Sequence, residues 1–137
     1  MCEDSIYTKK IDFLKSLGSD RVRHGGETLL EHLICTHDIL NNLGEDQFLL
    51  DAGLFHSVYG TVYFMPKSGL VDNRQVIIDL IGKQAEEIVY WFCILVNPRL
   101  PEIHKFEEPL KSNLLKLYFA NEDAQSKMMT WEEAYNV

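Results

Sequence analysis

One stretch of the sequence decides the fold: Asp51-Ala52-Gly53-Leu54-Phe55-His56-Ser57-Val58-Tyr59-Gly60-Thr61. It is apolar on nearly every side, whereas a surface helix has one polar face, so we predict a buried helix over about 46–58. Within this helix His56 needs a hydrogen-bond partner or a metal, because an unpaired polar group in a protein interior costs about 1–3 kcal/mol. The central question of the sequence is therefore which partner His56 binds.

The composition is that of an ordinary globular protein with one domain, residues 1–137. Of the 137 residues, 46% are hydrophobic and 25% are charged, so the chain can bury a sizeable core. A formal net charge of −8 repels the phosphates of nucleic acids and anionic lipids, which argues against nucleic-acid and membrane partners. We find no signal peptide and no apolar stretch of membrane-spanning length. The cysteines form no CxxC pair, which indicates reduced thiols and a cytoplasmic protein; they are Cys2, Cys35 and Cys93.

The spacing of apolar residues predicts an all-α domain of six or seven helices. Gly18 and Gly44 end the first two helices, and a polar loop over 19–26 separates them. A charged loop is expected over 102–108, and the aromatic connector 59–69 is expected to pack over the core or a ligand. The predicted helices span 4–17, 27–43, 46–58, 72–81, 83–96, 109–127 and 130–136.

Three of the histidines lie on consecutive elements that can converge: His24, His32 and His56. Neutral imidazole is a common protein ligand for zinc, iron and manganese, so these three are candidate metal ligands. His37 lies about 140° from His32 around the second helix, so the two do not suit one ligand. His104 falls in the charged loop, and its role is open. The alternative is that each histidine is simply hydrogen-bonded to backbone or water.

The sequence resembles the HD-domain superfamily over roughly residues 20–125. The resemblance rests on Glu31-His32-Leu33, on Ala52-Gly53-Leu54-Phe55-His56, and on the late run Leu115-Lys116-Leu117-Tyr118-Phe119-Ala120-Asn121. That superfamily is all-helical, and an early histidine, a helix ending in His-Asp and a late aspartate bind a divalent metal. The run Gly53–Thr61 also resembles a family of small HD-like domains. The resemblance therefore implies an HD-like helical domain with His32 and His56 as ligands.

The start of the second helix is similar to the ppGpp-hydrolase branch of this superfamily. In that branch an arginine and a threonine precede the first metal histidine, as Arg23 and Thr28 precede His32 here. The Glu-Asp pair of the branch is absent, and Tyr59-Gly60-Thr61 stands in its place.

Two acids of the superfamily pattern are replaced in this sequence. Ser57 stands where the signature has aspartate after the histidine, and Asn121 stands where the last aspartate is expected, with Asp123 two residues on. A hydroxyl or amide brings only a dipole to a cation, so the loss of two carboxylates weakens most the binding of hard, oxygen-preferring ions. His37-Asp38 spells the signature dipeptide on the wrong helix, and we interpret it as coincidence.

The first functional hypothesis is an HD-like metal-dependent hydrolase that acts on a small phosphorylated or nucleotide-like molecule. The expected cofactor is a divalent ion, Mn, Fe or Zn. The catalytic residues are not assigned. The candidate metal ligands are His32, His56, His24, Asn121 and Asp123, with His24 alternatively a substrate contact. The candidate substrate-binding residues are Arg23, Ser57, Tyr59 and Thr61.

Other hypotheses remain open from the sequence. A degenerate, non-catalytic HD-like domain would bind a small ligand or a protein partner without metal, and His56 would then be a structural residue bonded to Ser57, Tyr59 or a backbone carbonyl. Some HD-fold proteins are iron oxygenases, which gives a subsidiary enzyme hypothesis. A homo-oligomer with an interface at Tyr63-Phe64-Met65 is a weaker option. There is no nucleophile elbow, P-loop or dinucleotide fingerprint.

Overall fold

The chain folds into seven α-helices and one short hairpin within the residues that the computed structural model describes, which are 2–21, 23–24, 26–60, 70–95 and 98–128. The prediction of an all-α protein is confirmed. The predicted helix 130–136 lies outside the described residues. The elements are α1 (Cys2–Ser16), β1 (Arg23–His24), β2 (Glu27–Thr28), α2 (Leu29–Asn42), α3 (Gln47–Phe55), α4 (Leu70–Ile81), α5 (Lys83–Ile94), α6 (Arg99–Ile103) and α7 (Leu110–Met128). No described helix has the length and apolar character needed to cross a membrane.

Helix α3 lies at the centre of the packing, in contact with α2, α4, α5 and α7. Every residue from Leu49 to Phe55 is buried, as its apolar circumference predicts. The core around α3 is built from large aliphatic and aromatic side chains. The fully buried ones include Leu33, Leu40, Phe55, Phe92, Leu114 and Leu117.

Helix α3 is shorter than predicted, because it ends at Phe55 instead of continuing to residue 58. His56 is the C-cap residue, and a short 3₁₀ helix follows over Val58–Gly60. The imidazole Nδ1 of His56 lies 2.7 Å from the carbonyl oxygen of Gly53. A continuing helix would offer that oxygen to the N–H of residue 57, so the side chain satisfies one of the carbonyls left open at the helix end.

Helices α2 and α3 approach closely at Gly53. A Cβ atom placed there would lie 2.7 Å from Leu40 Cδ1 and 3.4 Å from Thr36 Cγ2. Both distances are tight for carbon–carbon contacts, which are optimal near 3.5–4.0 Å. The missing side chain of Gly53 therefore lets the two helices that carry His32 and His56 lie against each other.

Helix α2 is fixed at both ends by local hydrogen bonds. Thr28 and Glu31 form a capping box: the N–H of Glu31 donates to Thr28 Oγ1 at 3.2 Å, and the N–H of Thr28 donates to Glu31 Oε1 at 3.0 Å. At the other end Gly44 adopts φ +77°, and the N–H of Glu45 donates to the carbonyl of Leu40 at 3.2 Å. This is the Schellman arrangement, which favours glycine. The caps set the register of α2 and hence the direction of His32.

Two local elements differ from the prediction. The loop predicted over 19–26 contributes a hairpin, in which Arg23 pairs with Thr28 and His24 with Glu27. The segment after α5, predicted to be irregular, contains α6 (Arg99–Ile103), with Pro98 as its N-cap. Pro101 suggested a break, but it lies in the first turn, where a missing backbone N–H costs nothing because that N–H has no partner within the helix.

Candidate functional site

Two histidines from different helices meet in the interior. His32, on α2, is 1% exposed, and His56, at the end of α3, is 7% exposed. Their ring centroids lie 5.3 Å apart, with the ring planes at 75°. This is an edge-to-face contact between two imidazoles in a place where histidine is uncommon. The pair forms the centre of the candidate site.

His32 is held by helix α7. Its Nε2 lies 2.7 Å from Oδ1 of the half-buried Asn121, a hydrogen bond across 89 positions of the sequence. An amide oxygen can only accept, so with Oδ1 facing the ring the imidazole donates from Nε2 and carries its lone pair on Nδ1. Thr36 donates to the backbone carbonyl of His32 at 3.0 Å. Asn121 thus fixes the ring of His32 through a neutral hydrogen bond.

His56 has the opposite tautomer. The carbonyl of Gly53 can only accept, so Nδ1 of His56 carries the proton, and in the neutral imidazole the lone pair then lies on Nε2. A metal-binding histidine commonly uses this arrangement, in which one nitrogen donates to a backbone carbonyl and the other faces the ion. The ring also contacts Phe92, at a centroid distance of 5.6 Å. The thiol of Cys93 donates to the backbone carbonyl of His56 at 2.9 Å.

A second polar cluster lies beside the 3₁₀ helix that follows His56. Glu86, on α5, is 1% exposed, and Arg74, on α4, binds it with two hydrogen bonds, of 2.7 Å from Nε and 2.9 Å from Nη2. The hydroxyl of Tyr59 donates to Glu86 Oε2 at 2.6 Å. The guanidinium of Arg74 lies 3.6 Å from the ring centroid of Tyr90. This carboxylate is therefore bound from two sides by side chains of two other elements.

Tyr59 stays protonated in this environment. Burial and the hydrogen bond to Glu86 raise the pKa of its phenol above the ordinary value. The neighbouring carboxylate repels a phenolate, which adds to the same direction. Tyr59, predicted to bind substrate, is thus a hydrogen-bond donor to Glu86. Ser57, also predicted to bind substrate, lies half-buried in the turn between His56 and Tyr59.

Sequence reasoning missed Glu86 and Arg74. A signal for Glu86 existed, because it stands three residues before the buried Val89 on the apolar side of α5, where a charged residue needs a partner. No local pattern identifies Arg74 as that partner. The pairing becomes visible only when α4 folds back on α5 at Gly82, which adopts φ +88°.

The remaining candidates are dispersed or lie outside what the structure describes. Arg23 and His24 form β1, but their side chains lie outside the described part of the chain, as do Thr61 and the segment 63–65. Asp123 is exposed and lines a surface groove with Phe119 and Lys116. His37 is directed away from His32, with Nδ1 2.9 Å from Asp38 and its ring against Tyr7. His104 is an exposed C-cap of α6.

The described side chains contain no group of three histidines, cysteines or acids that could share a metal ion. Two imidazoles and the amide of Asn121 are what the site offers among the residues described above. Imidazole nitrogen suits zinc, iron and similar ions, whereas Mg²⁺ and Ca²⁺ prefer carboxylate oxygens. The donor set therefore fits a transition-metal ion held chiefly by nitrogen.

A comparison with known families identifies the chain. The family described as "Domain of unknown function (DUF6817)" matches residues 13–97, and the protein belongs to it. The match covers α2, α3, α4 and α5, which carry His32, His56, Arg74 and Glu86. No curated protein and no solved structure matches the chain.

Proposed function

We propose that this protein is an HD-like, metal-dependent hydrolase of a small phosphorylated or nucleotide-like molecule, with His32 and His56 as its metal ligands. One observation carries the proposal: two buried imidazoles from different helices lie 5.3 Å apart. The backbone hydrogen bond to Gly53 supports it further, because it gives His56 the tautomer with a metal-binding nitrogen at Nε2. A histidine that only caps α3 needs the bond to Gly53 as well, but it does not need a second imidazole beside it.

Each residue of the proposed site has a distinct task. His56 presents Nε2 to the ion while Gly53 holds its ring, and His32 supplies the second imidazole from α2. Asn121 orients His32 by accepting from Nε2, which leaves Nδ1 as the nitrogen of His32 that would face the ion. The bound ion supplies the acidification of a water nucleophile, the usual contribution of such metals to hydrolysis. His24 and Arg23, on the hairpin before α2, remain the candidates for a further ligand and for an anion contact.

A second candidate function is favoured by the Asn121–His32 hydrogen bond. Asn121 stands where the resemblance expects the last acidic ligand, and at 2.7 Å its oxygen shares a proton with His32 Nε2. Ser57 likewise replaces the acid after His56. A degenerate HD-like domain with this pair of substitutions would bind a small ligand or a protein without metal. His56 would then serve only to close the end of α3.

Metal content separates the two functions. The full chain is purified without chelators, and bound metals are measured by mass spectrometry after gel filtration, alongside His32→Ala, His56→Ala and the control His37→Ala. If the protein is the proposed hydrolase, we expect about one manganese, iron or zinc ion per chain. The ion should be lost in His32→Ala and His56→Ala and kept in His37→Ala. Metal-free protein that also fails to bind added Mn²⁺, Fe²⁺ or Zn²⁺ contradicts it.

The identity of the metal and an activity assay complete the test. A metal-loaded protein should release phosphate from a panel of nucleotides. Asn121→Asp should bind the ion more tightly, because a carboxylate that accepts from Nε2 makes His32 a more basic ligand. Oxygen consumption by an iron-loaded protein, with no phosphate release, would instead favour the oxygenase hypothesis. For the non-catalytic function, thermal-shift screening should reveal stabilising small molecules whose effect is the same with and without EDTA.

A further inference from the structure

A cleft on the far side of α2 from His32 has the composition of a second binding site. It lies between α1, α2 and α3 and has a volume of about 820 Å³, within the range of small-molecule sites. Its floor contains Lys10 and Leu50, one wall is formed by Tyr7 and His37, and its rim includes Asn41. None of these residues contributes to the proposed metal site.

Lys10, on the floor of the cleft, forms a buried ion pair with Asp51, which is not itself a lining residue. Lys10 Nζ lies 2.8 Å from Asp51 Oδ1, and the two side chains are 9% and 7% exposed. Gln47 donates to the same oxygen at 3.2 Å. A buried ion pair of this kind is weak evidence for stability, because the loss of hydration offsets most of the attraction. Because Lys10 lines the cleft, its ammonium is also placed to contact a ligand.

Hydrogen-bonding capacity is left over on two residues that line the cleft, Lys10 and Gln47. An ammonium has three N–H donors, and within the described residues Lys10 donates one hydrogen bond, to Asp51. Gln47 donates from Nε2 to the same carboxylate oxygen, and its Oε1 accepts no hydrogen bond from that part of the chain. A donor and an acceptor therefore lie close together in the cleft. They match a ligand edge that also carries a donor beside an acceptor.

The aromatic wall of the cleft and the charges around it limit the kinds of ligand that it can bind. The rings of Tyr7 and His37 are in contact, with centroids 5.3 Å apart, and give an aromatic surface on which a planar group can stack. Burial, and then Asp38, raise the pKa of Tyr7, so its phenol remains a donor. Asp51 balances Lys10, which leaves Asp38 as the uncompensated charge when His37 is neutral. An anionic ligand is therefore disfavoured.

We propose that this cleft binds a nucleobase or an uncharged nucleoside. The base stacks on Tyr7 and His37, its donor–acceptor edge meets Lys10 and Gln47, and Asn41 adds an amide at the rim. The charge argument predicts that a nucleoside 5′-monophosphate binds more weakly than the matching nucleoside. The site is independent of the metal proposed at His32 and His56, so either proposal can fail without the other.

The test is an NMR titration of the isotope-labelled full chain with adenosine, guanosine, cytidine, uridine and their free bases. At least one should shift the resonances of Tyr7 and His37 at millimolar concentration or below. Asn41→Ala should weaken binding about threefold to tenfold, the effect of one hydrogen bond. Its neighbour Asn42, exposed and outside the cleft lining, provides the control variant Asn42→Ala, which should bind as the unaltered chain does.

Three results would overturn the proposal: no shift at Tyr7 or His37 with any base or nucleoside, equal weakening by Asn41→Ala and Asn42→Ala, or a monophosphate that binds at least as tightly as its nucleoside. Lys10→Met is avoided as the main variant because it leaves the buried carboxylate of Asp51 without its cation and risks unfolding. Tyr7→Leu, which keeps an apolar wall but removes the aromatic face, gives the second variant. It should weaken binding while the circular-dichroism spectrum stays helical.

Discussion

The His32–His56 pair and the Glu86–Arg74–Tyr59 cluster solve the problem of buried polarity in different ways. Each histidine is hydrogen-bonded to a neutral group: His32 to the amide of Asn121 and His56 to the carbonyl of Gly53. Glu86, in contrast, is held by a guanidinium. A hydrogen bond at one ring nitrogen is compatible with an ion at the other, whereas the ion pair of Glu86 cannot be opened without leaving a charge unpaired in the interior. This difference is in line with the binding role proposed for the first region, and it favours a structural role for the second.

The largest loss of stability is expected in the Glu86–Arg74–Tyr59 cluster. Arg74→Met leaves the carboxylate of Glu86 buried without its cation, and we expect a loss of about 3 kcal/mol in the free energy of unfolding. The partial exposure of Arg74, 31% of its side chain, keeps the loss at the lower end of the range for buried pairs. Urea denaturation followed by circular dichroism measures it.

Arg99→Met provides the matched control for that measurement. Arg99 also lies over an aromatic ring, that of Phe92, but it donates to the neutral carbonyls of Phe92 and Leu95. We expect a loss of about 1 kcal/mol. Equal losses in the two variants would remove the distinction between charged and neutral partners.

Gly53→Ala tests the contact that brings the two histidines together. The added methyl group meets the buried Leu40 at 2.7 Å, and overpacking of this kind costs about 1–3 kcal/mol, so we expect a loss near 2 kcal/mol. The same substitution in a Leu40→Ala background should cost less, because the obstructing atom is gone. Additive losses in the double variant would show that α2 and α3 do not meet as described.

Tyr59→Phe removes one hydrogen bond to a charged group and should cost about 1.5 kcal/mol at neutral pH. Because the pKa of Tyr59 is raised in the folded protein, its contribution is fully present below the ordinary phenol pKa of 10.0 and is lost as the pH rises above it. The unaltered protein should therefore lose stability above that pH more steeply than Tyr59→Phe. Parallel stability curves for the two proteins would contradict the assigned contact.

The smallest loss of stability is expected for the neutral hydrogen bond between His32 and Asn121. Asn121→Ala removes one neutral hydrogen bond from His32, which costs about 1 kcal/mol. The imidazole retains a way to compensate, since its proton can move to the other nitrogen. Asn42→Ala, an exposed change, should lie within about 0.5 kcal/mol of the unaltered chain. A loss for Asn121→Ala as large as that for Arg74→Met would give the histidine pair a structural role too.

The sequence predicts the parts of this site that depend on local periodicity. The apolar arc of α2 includes His32, and the apolar circumference of α3 buries the residues before His56. Asn121 was reached only through a resemblance, because nothing in the periodicity of α7 selects it as a partner for His32. Its position 89 residues away is set by the packing of α7 on α2.

Pairs that join distant elements were missed for the same reason. Lys10 binds Asp51 across 41 positions, and the partner of Glu86 depends on the fold-back of α4 on α5. Helical periodicity reports which face of a helix is buried, but it does not report which residue of another helix lies opposite. Buried charges flag that a partner exists, and only the tertiary structure identifies it.

The central claim is that His32 and His56 form a metal-binding pair, and long-range ¹H–¹⁵N NMR of histidine-labelled protein tests it most directly. Without added metal, His56 should show the tautomer protonated at Nδ1. One equivalent of Zn²⁺ should then shift a ring nitrogen of both His32 and His56, while His37 and His104 stay unchanged. Ring nitrogens of His32 and His56 that remain unchanged in excess Zn²⁺, Mn²⁺ and Fe²⁺ would contradict the claim.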